Sequence, residues 1–342
     1  MAEFLAPAAI GRQVVMKQEA TAGTDVFADT YLAADVQQVD ADSIRVTNDP
    51  NEIKNLVTMG NLGQAPSLKG PRVSRIDFRI PIRGNDAGIF FDDTPEIVPF
   101  GDRALQACAL GRTFASPGIG GSTILYKPSS TQKTYTIYVT QPIPGGANCL
   151  SRQFTGCSGT FRVSGRAGEG MSYEFSMLGS FEEEKDIVFV PGTMILVPQY
   201  PQLISAAFQI GSANYAPRIS TVTFDAGQRV GRLPSINAVT GVAGFRILQR
   251  EPSLVIDPEV DLDANSGWWA AFRDGAPLKD CTFILGGTAL NRLTFRFASD
   301  GVAANLQVVD HQLDSRDDLS CFRITLRPTI AAGNDDWGLL YS

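Results

Sequence analysis

The sequence has a single histidine, His311, among 342 residues, and that scarcity removes most acid–base and hydrolytic designs. A nucleophile elbow is missing as well: GCSGT around Gly156 looks similar, but it precedes a strand-like run instead of joining a strand to a helix. The glycine clusters GIGGST and GRAGEG lack Rossmann or P-loop spacing and read as hairpin loops. The best cation candidate is DPEVDLDANSG, where Asp261, Asp263 and Asn265 alternate like the start of a calcium loop. It fails at Ser266, where glycine is required, and at Phe272, where a glutamate should close the loop, so it reads as an acidic link capping a helix. The pairs Asp92–Asp93, Asp317–Asp318 and Asp335–Asp336 sit beside turns and read as solvated surface. No cofactor and no metal are expected, and the chain reads as a non-enzyme.

Three further absences narrow the class. No apolar run reaches the roughly 18 residues of a spanning helix, so no membrane insertion is expected. The start, MAEFLAPAAIGR, lacks the basic region and apolar core of a secretory signal, and the protein is expected to fold in the compartment where it is made. No basic cluster breaks a formal charge of −7, whereas a protein that grips DNA through phosphates shows one. Cysteine is sparse and unpaired in pattern: Cys108, Cys149, Cys157, Cys281 and Cys321 contain no CxxC. They read as buried reduced thiols, with a disulfide between the two closest, Cys149 and Cys157, left open.

What is present is strand language, punctuated by 33 glycines and 20 prolines that keep the segments short. In TYTIYVTQ, Tyr135, Ile137 and Val139 alternate with Thr136, Tyr138 and Thr140. GTFRVSG sets Phe161 and Val163 against Arg162 and Ser164; MSYEFSMLGSF sets Tyr173, Phe175 and Met177 against Ser172, Glu174 and Ser176. GRAGEG between them predicts a hairpin with one buried and one wet face. In the second half, LTFRFA turns through SDG into NLQVVDHQL, and CFRITLRP closes the set with Phe322, Ile324 and Leu326 against Arg323, Thr325 and Arg327. Alternation places His311 with Val309 and Leu313 as a partly buried structural residue.

Helical signals are two. FGDRALQACALGR has Asp102 as cap and Gly111 as stop; NSGWWAAFRDG has Asn265 or Ser266 as cap and Gly275 as stop. Adjacent Trp268 and Trp269 diverge by about 100° on a helix, sending one to the core and the other to a neighbouring surface. Each helix follows an acidic link and precedes strands and a hairpin, which suggests an internal duplication: VSRIDFRIPIRG corresponds to VAGFRILQREPS, and TYTIYV to CTFILGG. The fold class expected is mainly β, two tandem β-sandwich or barrel modules each with a short flanking helix. The boundaries read as an N-terminal arm at 1–44, a first module at 45–190, a connector at 191–218 and a second module at 219–342.

The stretch VVMKQEATAGTDVFADTYL resembles the N-terminal K-E-x-T-x-G-T segment of tail tube proteins of long-tailed bacteriophages, here as Lys17, Glu19, Thr21, Gly23 and Thr24, with Gln18 between the first two. ISTVTFDAGQRVGRLPSINAVTGVAGFRILQREPSLVIDPEVDL, Ile219 to Leu262, looks like the second module of that family's duplicated members. The resemblance implies modules whose inner sheets join into one closed barrel around a channel. For a duplicated chain it implies trimeric rings of pseudo-sixfold symmetry, stacked into a virion tail tube that conducts DNA. Its partners would be further copies of itself, other tail proteins and double-stranded DNA in non-adhesive passage; it would be made in the host cytoplasm. The K-E-x-T-x-G-T segment then reads as an arm that orders on a neighbouring subunit. NDPNEIKNLVTMGNLGQAPSLKGPR reads as a stacking loop with Leu56, Met59 and Leu62 as apolar contacts, an intramolecular loop being the other reading. Arg162, Arg296, Arg323 and Arg327 either pair with acids across modules or face the channel. Two other functions stay in view: a terminator or distal tail ring that caps instead of polymerising, and a carbohydrate-binding β-sandwich adhesin with a surface aromatic platform.

Overall fold

Alternation in the sequence becomes two large antiparallel sheets, with three two-stranded sheets beside them among the described residues, in the computed structural model. It describes residues 11–49, 68–83, 96–118, 121–192, 216–262, 266–276, 282–286, 292–297, 305–330 and 336–342, with 52–53, 92–93, 203, 207–209, 278–279 and 333–334 between them. The fold is mainly β, as expected. The larger sheet is twelve-stranded among the described residues. Its long axis runs Leu278–Lys279, Asn305–Arg316, Leu319–Thr329, Ser253–Pro258, Ile219–Asp225, Asn148–Arg166, Ser172–Val188, Val73–Pro81 and Arg45–Asp49. A branch leaves Asn148–Arg166 through Tyr135–Pro142 and Gln13–Gln18 to Val36–Gln37. The smaller, six-stranded sheet runs Ala207–Gln209, Thr282–Leu285, Leu293–Arg296, Gly338–Tyr341, Gly121–Pro128 and Leu110–Gly118.

Phe161, Val163, Tyr173, Phe175, Ile324 and Leu326 are all buried, as their alternation requires. One continuous apolar cluster spans both sequence halves. At its centre Phe224 lies 4.9 Å from Trp337 and 6.2 Å from Phe161, ring centre to ring centre. Burying each of these aromatic rings stabilises the fold by about 1.5–3 kcal/mol. The hydroxyls of Tyr173 and Tyr341 meet at 2.6 Å, closing one half onto the other.

The two halves repeat an order of elements without being separate units. Val73–Pro81 pairs with the second strand of the long hairpin Asn148–Val188, and Ser253–Pro258 pairs with the second strand of the hairpin Asn305–Thr329. The counterpart of VSRIDFRIPIRG is therefore Ser253–Pro258. VAGFRILQR instead forms its own hairpin with Gln228–Pro234. TYTIYV lies in the larger sheet while TFIL of CTFILGG lies in the smaller, and LTFR pairs there with Thr282–Leu285 and Gly338–Tyr341, not with NLQVVDHQL. Sheet order depends on partners distant in sequence, which local alternation does not encode. The boundary near 219 cuts through hydrogen-bonded neighbours, since Ile219–Asp225 pairs with Asn148–Arg166.

Both helices are short. The first, Asp102–Ala107, is capped by Gly101 at φ +86, and it ends before Gly111 as Ala109 turns left-handed at φ +53. Asp102 does not cap it: the carboxylate is buried and accepts from Tyr126 Oη (2.7 Å), Gln106 Nε2 (2.7 Å) and Arg112 Nη1 (3.0 Å). The second, Trp268–Asp274, starts after Gly267 and stops at Gly275, φ +64. Trp268 is buried and Trp269 is 50% exposed, the divergence expected of adjacent helical residues. A bulge at Val309 shifts the phase of its strand, so His311 faces Ile324 and not the side of Val309. The half-buried imidazole stands 4.5 Å from the Phe322 ring and 6.0 Å from Trp269. Asp317 and Asp318 are exposed at a turn, whereas Asp336 is buried and 3.8 Å from Arg250.

Cys108, Cys149, Cys157 and Cys321 are free and buried; Cys281 lies outside the described residues. Burial raises the pKa of all four described thiols, which leaves them protonated at neutral pH. Iodoacetamide is expected to label none of the four in the native protein and all of them in urea, read by peptide mass mapping. Native labelling of Cys149 or Cys157, or their recovery as a linked peptide, would contradict this arrangement.

Candidate functional site

The K-E-x-T-x-G-T segment is built into its own subunit. Val14, Val15 and Met16 are fully buried, and Gln13–Gln18 pairs with Tyr135–Pro142 on one side and Val36–Gln37 on the other. From Gly11 onward the expected arm is thus an integral part of the sheet, because its apolar triplet completes two clusters of the core. The structure brings Glu19, Thr21, Gly23 and Thr24 into one turn, with Lys17 on the strand that leads into it. Glu19 is 5% exposed; its Oε1 accepts from Gly156 N (2.7 Å) and Thr136 Oγ1 (3.0 Å), and its Oε2 accepts from Gly23 N (2.8 Å). Thr24 N donates to Thr21 O at 3.2 Å, and the Lys17 ammonium lies 5.8 Å from the centre of the Phe27 ring.

The carboxylate holds a bend. Register shifts between Thr155 and Ser158, where Gly156 has φ +63, and the strand Asn148–Arg166 passes from its partner Tyr135–Pro142 to Ile219–Asp225. A Cβ on Gly156 would stand 2.9 Å from Gly244 Cα, and one on Gly23 would stand 2.9 Å from Ala243 O. Only glycine tolerates both the dihedral and the approach at these two positions. Asp25 extends the turn by accepting from Tyr138 Oη at 2.6 Å, and burial followed by that bond pushes the Tyr138 phenol upward in pKa. Sequence reading did not find Asp25, Thr136, Gly156 or Gly244 as members of this turn. Their one local signal is glycine itself, which stands at positive φ at Gly156 (+63) and at Gly244 (+148). Leu56, Met59 and Leu62 lie outside the described residues, as does most of the connector 191–218.

The second candidate surface is the wet face of the larger sheet. Along its axis the outward positions are Gln307, Asp310 and Gln312; Arg323, Thr325 and Arg327; Ser253, Val255 and Asp257; Thr221, Thr223 and Asp225; Thr160, Arg162 and Ser164; Ser172, Glu174 and Ser176; Arg75, Asp77 and Arg79; Arg45 and Thr47. Arginines and acids interleave: Arg162 stands opposite both Asp225 and Glu174, Arg79 Nη2 is 3.3 Å from Glu174 Oε1, and Arg75 Nε is 2.8 Å from Asp77 Oδ1. A shallow depression of about 630 Å³ in this face is lined by Arg45, Arg75, Arg79 and Arg162 together with Asp77, Glu174 and Asp225. Of the four arginines singled out by sequence, Arg162, Arg323 and Arg327 lie on this face, and Arg296 lies in the smaller sheet. The face is hydroxyl-rich and nearly balanced in charge, with Val255 the apolar exception among these positions.

Among the described residues both ends of the sheet's long axis are open, and the branch ends at Val36–Gln37, which pairs with Gln13–Gln18 alone. Arg45–Asp49 pairs on one side alone, with Val73–Pro81. At the other end Leu278–Lys279 covers Asn305 and Leu306, leaving Gln307–Arg316 without an outer neighbour. Among the described residues no cluster of three or more His, Cys, Asp or Glu is placed to hold a metal ion, and no helix is long and apolar enough to cross a membrane. No protein-family model and no curated protein matches the chain.

Proposed function

We propose that this chain is a structural virion protein, the ring-forming subunit of the tail tube of a long-tailed bacteriophage. The observation that carries the reading is a wide antiparallel sheet with a charge-balanced, hydroxyl-rich face and, among the described residues, an open edge at each end of its long axis. Open edges are a hazard unless something closes them. Head-to-tail pairing of copies around an axis closes them into a barrel, and the wet face then lines the lumen. A lumen of interleaved arginines and acids gives passing phosphates no continuous cationic track, so double-stranded DNA slides without summed adhesion. The element order repeated in both halves fits three chains per ring with pseudo-sixfold symmetry. The partners are other copies, other tail proteins and DNA in transit; no catalytic step is assigned.

Negative-stain microscopy with native mass measurement tests this. Stacked rings with a central hole and three chains per closed species are the expected result. A protein monomeric at every concentration, or filaments with no lumen, overturns it; single rings that never stack favour a terminator or distal tail ring. A carbohydrate-binding module has one observation in its favour, the half-exposed Trp269 ring 5.8 Å from Phe272. Saturable quenching of Trp269 fluorescence by a glycan would select that second reading.

A further inference from the structure

We propose that copies of this chain dock head to tail through two named surfaces: the hairpin Gln228–Arg250 of one copy and the acidic, aromatic end formed by Trp268–Asp274 and Asn305–Arg316 of the next. The contact rests on the ring-building reading above and specifies the surfaces that reading uses.

Topology places these surfaces at opposite ends of one sheet. The hairpin lies across Asn148–Arg166 and Ser172–Val188, where Ser158 Oγ donates to Phe245 O at 3.4 Å, and its tip reaches the Val73–Pro81 end, where Val242 and Phe245 cluster with Val73, Thr240 Oγ1 meets Ser180 Oγ at 2.7 Å, and Arg232 pairs with Asp49. The helix Trp268–Asp274 packs on the strand Asn305–Arg316 at the far end, with Trp269 and Phe272 in ring contact with His311. A pair of different surfaces at opposite ends of a molecule joins copies heterologously, which is the geometry that builds rings.

Their charges are complementary. From Gln228 to Arg250 the sequence carries Arg229, Arg232, Arg246 and Arg250 and no acid, in a chain whose formal charge is −7. On the facing end Trp268–Asp274 carries Arg273 and Asp274, Asn305–Arg316 carries Asp310, Asp314 and Arg316, and Asp317 and Asp318 follow at the turn, five acids against two arginines. Arg232 and Arg250 are engaged within the subunit, with Asp49 and with Asn334, whereas Arg229 and Arg246 are exposed and form no ion pair among the described residues. Such complementarity steers encounter and fixes register more than it supplies affinity.

Apolar groups supply the rest. At the hairpin tip Ile236 is 102% exposed and Val239 is 91% exposed. Isolated exposed apolar residues are ordinary, but Ile236 and Val239 share one tip, with the exposed Leu233 on the strand leading into it. The facing end offers Trp269, Phe272 and Leu313, the last 72% exposed on the side of its strand that faces the helix. An aromatic anchor with an acidic rim is the composition expected of a contact centre meeting a basic, aliphatic knob.

The test uses the full chain in two multiple variants. One carries Ile236→Ser, Val239→Ser and Arg246→Ser; the other carries Leu313→Ser and Asp314→Ser. Every substituted side chain is exposed in the subunit, and unchanged urea midpoints verify folding. Each variant alone is expected to stay monomeric at tenfold the concentration at which the unaltered protein associates. Mixed in equal amounts, the two should stop at two chains, because each retains one working surface, and acrylamide should quench Trp269 less in the pair than in either monomer. Variants that assemble like the parent, or a mixture that stays monomeric, overturn the proposal. If variants still build hollow tubes, the docking surfaces fall and the tube reading stands. If the pair forms but the parent makes no lumen, the docking surfaces stand and the tube reading falls.

Discussion

Replacing Glu19 with alanine is expected to lower stability by about 3–5 kcal/mol, seen as a fall in the urea midpoint. The side chain is buried, and its loss orphans the amides of Gly23 and Gly156 and leaves the hydroxyl of Thr136 only the longer bond to Thr24 O at 3.4 Å. A buried donor left without an acceptor costs about 1–3 kcal/mol, which sets the scale. Glu19→Gln should fall between parent and alanine variant, since its amide keeps one acceptor oxygen but turns an NH2 toward a donor. A motif serving only as a contact between subunits would leave the midpoint of the dilute protein unchanged and alter assembly alone. For the same reason, removing the residues before Leu32 is expected to unfold the protein, since Val14, Val15 and Met16 sit in the core.

A comparable loss, about 3–5 kcal/mol, is expected for Asp102→Ala. Its carboxylate gathers Tyr126, Gln106 and Arg112, and Lys133 Nζ donates to Gln106 Oε1 at 2.6 Å on the far side of the same chain of bonds. Breaking a buried ion pair from one side takes from the partner charge, here the Arg112 guanidinium, the carboxylate that Nη1 donates to. The double change Asp102→Ala with Arg112→Met should recover part of the loss, because it removes the cation that had paired with the carboxylate as well. A midpoint that moves by less than the equivalent of about 1 kcal/mol in the single variant would show that water replaces the carboxylate.

Period-two alternation identified the long hairpins because their two faces differ in wetness: Phe161 and Tyr173 are buried while Arg162 is exposed. Strand partnership was not legible. LTFRFA and CFRITLRP carry the same alternation, yet they lie in different sheets, since a buried face says nothing about which edge it pairs with. The role of Asp102 was hidden similarly: an acid before an apolar run reads as a cap, and its true partners lie up to 24 residues away. In the N-terminal segment the residues were found and their direction was not. Small residues and a glutamate suit an adaptable arm as well as a tight buried turn; the bend at Gly156, 137 residues further on, decides between them.

Because Gly338–Tyr341 lies in the middle of the smaller sheet, between Leu293–Arg296 and Gly121–Pro128, that sheet has no contiguous interior until those residues have been translated. At ribosomal rates of about 5–20 residues per second, the first half waits on the order of ten seconds or more for the strand that locks it. A truncated or frameshifted product therefore lacks a central strand, not a dispensable tail. In the ring assembly proposed above, such a product would be rejected by its failure to fold before it could enter and spoil the polymer.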